Sequence, residues 1–133
     1  MKSVPDASFI LNLIFNELNA PNPWPYFNEL QESDIFVPSH FNQEVAHALY
    51  IAQTTNRIPN LEANLFSRYL SEINIVTATS PSIDRLKEFC LKNSISSYDA
   101  AYLILAQDLD AQLFTSDLQM KKVAKKLQIA TAG

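Results

Sequence analysis

Short apolar runs alternate with stretches of helical periodicity along the whole chain. Residues 2–5 read as a strand ending at Asp6, and residues 34–37 as a buried strand stopped by Pro38. Further strands are expected over residues 73–77, 111–115 and, more briefly, 127–130. Between them, Ser8 is placed to cap a helix carrying Ile10, Leu11, Ile14, Phe15 and Leu18. A proline-rich break over residues 20–25 precedes a helix over residues 26–32. Ser39 is the expected cap of a long helix reaching about Thr55, and Pro59 opens another with Leu61, Leu65, Phe66, Tyr69 and Leu70 on its stripe. Ser80-Pro81 is a start signal for a helix, Ser96 opens the most apolar one, over residues 98–109, and residues 118–126 form the last. Strands separated by helices imply parallel pairing with helices on both faces. The expected class is α/β, as one domain over residues 1–133.

Composition narrows the chemistry. A chain of 133 residues buries about 65–70% of its unfolded surface, so its core needs no staples. With 47% hydrophobic and 18% charged residues it is not disordered. The one cysteine, Cys90, follows Ile83, Leu86 and Phe89 at helical spacing and reads as core filler in a reducing compartment. The first residues lack the pattern of a secretory signal, and the apolar stretch near residues 100–106 is too short to span a bilayer, so a cytoplasmic location is expected. The formal charge of −4 argues against a purely electrostatic nucleic-acid binder. It is compatible with a nuclease whose carboxylates hold cations where phosphate docks. The one glycine, Gly133, leaves none inside the chain for a Walker loop or a dinucleotide-binding turn. Asn19, Asn56 and Asn93 are candidates for left-handed helix stops instead.

Such a sheet meets ligands at the carboxyl ends of its strands, where Asp6 and Asp117 stand, and two further acids, Glu44 and Asp99, lie on the helices expected to face them. Asp6 lies between a strand and a helix and reads alone as a cap. Glu44 sits at the edge of the stripe Phe41, Val45, Ala48, Ala52, and alone reads as a glutamate reaching water. Asp99 is three residues after Ser96, the capping-box spacing. Asp117 alone caps the last helix. Together the four can converge, and ionised carboxylates that converge require a cation. Oxygen ligands without cysteine or histidine suit magnesium or manganese rather than zinc.

The order Asp6-Ala-Ser, Pro38 followed by Glu44-Val-Ala-His-Ala-Leu, Ser97-Tyr-Asp99-Ala-Ala-Tyr-Leu, and Thr115-Ser-Asp117 resembles the PIN-domain family, and within it the VapC-type toxins. The resemblance implies a flavodoxin-like three-layer α/β/α sandwich with a parallel sheet of about five strands. It also implies Asp6, Glu44, Asp99 and Asp117 as magnesium or manganese ligands and catalytic acids, endoribonuclease activity, and a cognate antitoxin as partner. Thr115 matches the hydroxyl position two before the last acid. His47 stands where many members carry asparagine, and Pro5 replaces a strand residue before the first acid. The alternative is a PIN fold kept only to bind a partner or RNA.

Other features have plainer readings beside functional ones. His40 and His47, seven apart, lack zinc spacing and read as solvated or capping. Lys121, Lys122, Lys125 and Lys126 form the wet face of an amphipathic helix, or a patch in which Lys121 and Lys125 contact substrate phosphate. Trp24 covers its own core or contacts a homodimer or partner interface. A phosphoryl-transfer receiver would want paired acids at the first strand and a lysine after the last. A haloacid-dehalogenase-type phosphatase would want Asp-x-Asp, and Ser8 fills the second place.

Overall fold

The protein is described here as a computed structural model covering residues 1–15 and 22–133; Leu18, Asn19 and the start of the proline-rich break lie outside the described residues. Five strands, β1 (Lys2–Pro5), β2 (Asp34–Val37), β3 (Ile75–Thr77), β4 (Gln112–Phe114) and β5 (Thr131–Ala132), form one parallel sheet in the order β3-β2-β1-β4-β5. Seven helices are described: α1 (Ala7–Phe15), α2 (Trp24–Gln31), α3 (Phe41–Thr54), α4 (Asn60–Glu72), α5 (Ile83–Asn93), α6 (Ser97–Leu109) and α7 (Leu118–Lys126). The chain winds outward from β1 to β3, then crosses back to β4 and β5. With right-handed crossovers, that reversal puts α1 to α4 on one face and α5 to α7 on the other. The packing agrees, α1 lying on α3 and α3 on α4, while α6 lies on α5 and α7.

The strand order puts the topological switch point between β1 and β4, where the helices leaving the two strands diverge to opposite faces and open a crevice. Val4 is paired with Leu113 and Pro5 with Phe114. The next residue, Asp6, donates its N–H to the Phe114 carbonyl at 3.0 Å, which sets it beside Thr115. Pro5 has no N–H to give, but as the last residue of β1 it ends the ladder without breaking it.

Helix α6 buries Ala100, Ala101, Tyr102, Leu103, Ile104 and Ala106, so nearly all its circumference is covered. Small alanines let it lie against β1 and β4, with Leu113 and Phe114 beneath. On the other side, Phe9, Ile10 and Leu13 of α1 join Phe41, Val45 and Leu49 of α3 over β1 and β2.

Several expected details shift. Asp6, not Ser8, caps α1, accepting the Phe9 N–H at 2.8 Å. His40 precedes α3 without a side-chain cap, leaving Ser39 in the turn. Ser82 caps α5, two residues past the expected start. The fifth strand falls at Thr131–Ala132, beyond residues 127–130. Asn56 does take positive φ, but Ser94, not Asn93, ends α5 in the left-handed region, as Asp110 and Gln128 do after α6 and α7. Helices α4 and α5 bury far less than their stripes suggest: Leu61, Leu65 and Tyr69 are exposed, and α5 buries no residue fully. Cys90 is accordingly only half-buried. No helix among the described residues is long and apolar enough to cross a membrane.

Candidate functional site

Asp6 is the fixed point of the crevice. It is 6% exposed, and its carboxylate is held by the first turn of α1 and by the residue after β4. Its Oδ1 accepts the Ser8 hydroxyl and the Phe9 N–H, both at 2.8 Å, and its Oδ2 accepts the Thr115 hydroxyl. Thr115 Oγ1 in turn accepts the Asp117 N–H at 3.1 Å, so one buried hydroxyl joins the turn after β4 to the end of β1. Asn12 adds a second tie, donating to the Ser116 hydroxyl at 2.8 Å. Burial, above all, pushes the Asp6 carboxyl above its ordinary value. The hydrogen bonds from Thr115, Phe9 and Ser8 pull it back, and the charge of Asp117 pushes it up again.

Asp117 is exposed at the start of α7, where its Oδ1 accepts the Met120 N–H at 2.9 Å. Asp99 is half-buried in the first turn of α6, behind its cap Ser96, whose hydroxyl accepts the Asp99 N–H at 3.2 Å. The cap readings of Asp6 and Asp117, and the capping serine before Asp99, are therefore real. They do not exhaust these acids. Desolvation raises the Asp99 carboxyl, and the charges of Asp117 and then Glu44 raise it further, against the Ser96 hydrogen bond and His40. Asp117 thus feels Asp6 on one side and Asp99 on the other, and Asp99 also feels Glu44.

Glu44, in the first turn of α3, is held by residues that sequence reasoning missed. Tyr102, 2% exposed, donates its hydroxyl to Glu44 Oε1 at 2.7 Å, joining α6 to α3 over the rim of the sheet. Burial and the neighbouring Glu44 drive this phenol far above its ordinary value, so it remains a donor at every working pH. His40 Nε2 lies 3.1 Å from the same carboxylate oxygen but is not aligned to hydrogen-bond with it, and this buried nitrogen has no other partner. The His40 ring meets Tyr98 and Tyr102 edge-on, at 5.5 and 5.2 Å between centroids. The signal for Tyr102 was its spacing, one turn after Asp99 on the same face of α6.

The four acids therefore share one rim, close enough to repel. Among the described residues, though, no three His, Cys, Asp or Glu side chains are grouped tightly enough to hold a metal ion as they stand. Two of the acids are engaged as caps, Asp6 with the Phe9 N–H and Asp117 with the Met120 N–H. The donor set fits a hard divalent cation in its chemistry: among the described residues, Glu44 Oε2 and Asp117 Oδ2 accept no hydrogen bond, and Asp6 Oδ2 accepts one. Of the expected substrate contacts, Thr115 is wholly buried beneath Asp6, and Lys121 donates to the Gly133 carbonyl at 2.5 Å. Lys125 is exposed further along α7. His47 is exposed on α3 with its ring near Tyr50, and Trp24 is exposed and packs edge-on against Phe27.

The backbone is similar to the crystal structure of PAE2754 from Pyrobaculum aerophilum, with a TM-score of 0.70 over 98% of this chain and 92% of that one. Sequence identity is 18%, so that likeness speaks for the fold alone. No curated protein matches the sequence. The family model for the PIN domain matches residues 3–126, a span that holds all four acids. The chain therefore belongs to the PIN domain family, whose members are typically nucleases.

Proposed function

We propose that this chain is a divalent-metal-dependent endoribonuclease of the VapC toxin type, restrained by a cognate antitoxin. The observation that supports this reading is electrostatic: the Asp6 and Asp99 carboxyls are raised first by burial and then by neighbouring acids, Asp117 beside Asp6, and Asp117 and Glu44 beside Asp99. Asp6, Glu44, Asp99 and Asp117 would hold magnesium or manganese. Bound there, the ion supplies a docking charge for phosphate and Lewis acidity toward its oxygens. The chain's own residues do the rest. Thr115 keeps Asp6 and the Asp117 backbone in register, Tyr102 fixes Glu44, and Asp99, at the mouth, orients the attacking water.

The test is cleavage of RNA by purified protein with magnesium or manganese, and its loss in EDTA. Full activity in chelator, once contaminating nuclease is excluded, sinks the metal mechanism, and equal activity on duplex DNA counts against a ribonuclease. For the toxin assignment, the product of the adjacent reading frame should inhibit the purified enzyme. A second reading, a PIN fold that binds RNA or a partner without cutting, draws on the absence of a finished metal cage among the described residues. It predicts binding without cleavage in the same assay.

A further inference from the structure

Tyr98 is 62% exposed in the first turn of α6, whereas Tyr102, one turn further along the same helix, is buried. A large aromatic left in water at the mouth of a site calls for a reason. Its neighbour in sequence is Asp99. Its neighbour in space is His40, whose ring meets it edge-on at 5.5 Å and whose Nε2 is 3.1 Å from the Glu44 carboxylate. Tyr98 therefore stands within a side chain's reach of two of the four acids. His40 is itself pinned against buried Tyr102, so the Tyr98 ring is braced on one side and open on the other.

The surroundings offer a polynucleotide little else. Among the described residues, the positively chargeable group that bears on Asp99 is His40; of the α7 lysines, Lys121 is held by the Gly133 carbonyl and Lys125 is exposed further along the helix. With a formal charge of −4, the chain has a source of RNA affinity to find beyond any lysine contacts on α7. Stacking is the other general source of affinity for single strands, because every base has a π face. In a duplex both faces of a base are already covered; an unpaired base has one to offer.

We propose that Tyr98 is the stacking platform for an unpaired nucleobase beside the phosphate to be cut. The proposal rests on the ribonuclease reading above. It predicts that duplex RNA binds poorly even when it contains the same sequence.

The test measures binding of a short single-stranded RNA in calcium, with the RNA shown to remain intact, so that turnover is not required. Tyr98→Ala should raise Kd about tenfold, within a range of about 5 to 150, while Tyr98→Phe and Tyr98→Trp stay within about threefold of the parent. Abasic substitutions walked along the RNA add a readout that a structural role would not move. One position should weaken binding to the parent protein yet cost Tyr98→Ala nothing further. Tyr98→Leu, which keeps bulk but has no π face, carries the comparison if the alanine variant melts early. Parent protein that binds RNA, with Tyr98→Ala binding equally well or with every abasic penalty intact in the variant, overturns the stacking platform alone. Parent protein that binds no RNA at all overturns the ribonuclease reading, and this proposal with it.

Discussion

Asp6 and Asp99 carry carboxyls whose proton affinity is higher in the folded protein than in the unfolded chain. The folded state then holds more protons, so its stability falls as pH rises from about 3.8 through the raised folded values. Metal-free protein is expected to lose melting temperature across that window, and saturating magnesium to flatten the slope. Asp108 has the opposite sign, because its bidentate bond with Arg85 lowers its carboxyl, so its contribution is lost as pH falls. That makes Asp108→Asn the control for Asp99→Asn. Without metal, Asp99→Asn should melt at or above the parent temperature, since relief of repulsion offsets a helix-dipole loss of about 0.3–1 kcal/mol. It should also gain little from magnesium. A variant that melts lower and still gains the parent's increment removes Asp99 from the ligand set. Tyr102→Phe is a finer probe. It removes the one hydroxyl that tethers Glu44 and is expected to weaken magnesium affinity several-fold while leaving the core packed, as titration followed by melting will show.

Among the elements, α5 is the least anchored. It buries no residue fully, Ile83 is 84% exposed, and its ties include the Ser82 cap and the half-exposed Arg85–Asp108 pair. Its amides are therefore expected to exchange with solvent well before those of α6, in a native-state hydrogen-exchange experiment. Ser82→Ala should cost about 1 kcal/mol in denaturant melts, by leaving the Arg85 N–H without its cap. Helix α5 also marks where the sequence stops being legible. Periodicity reports that a helix has an apolar stripe, and Ile83, Leu86, Phe89 and Cys90 have one. It does not report whether the fold supplies anything to lie on it. Ile75 and Val76 are on β3, the edge strand, and α4 and α5 flank that edge, which is why Leu61, Leu65 and Ile83 stay wet. Central strands and α6 were legible because burial on all sides leaves no such ambiguity. The four acids were legible as strand-end and helix-start residues. Tyr102 and His40 were not: the spacing from Asp99 puts Tyr102 on the acid's face of α6, but it does not report that the hydroxyl meets a glutamate from another face of the sheet.

For the molecule as a whole, the switch point decides where charge collects. Acids cluster at one rim, while four of the ten lysines and arginines lie on α7. If that basic face tracks RNA backbone, Lys125→Ala should reduce the salt dependence of single-strand binding by about 0.7 in log–log slope, and an unchanged slope returns the lysine to a solvated face. The bond from Thr115 to Asp6 spans 109 positions of sequence. During synthesis β1 emerges well before its neighbour β4 and the hydroxyl that locks Asp6. A growing chain on the ribosome thus carries Asp6 without its partner, and the rim where the acids meet is completed only when β4 docks beside β1.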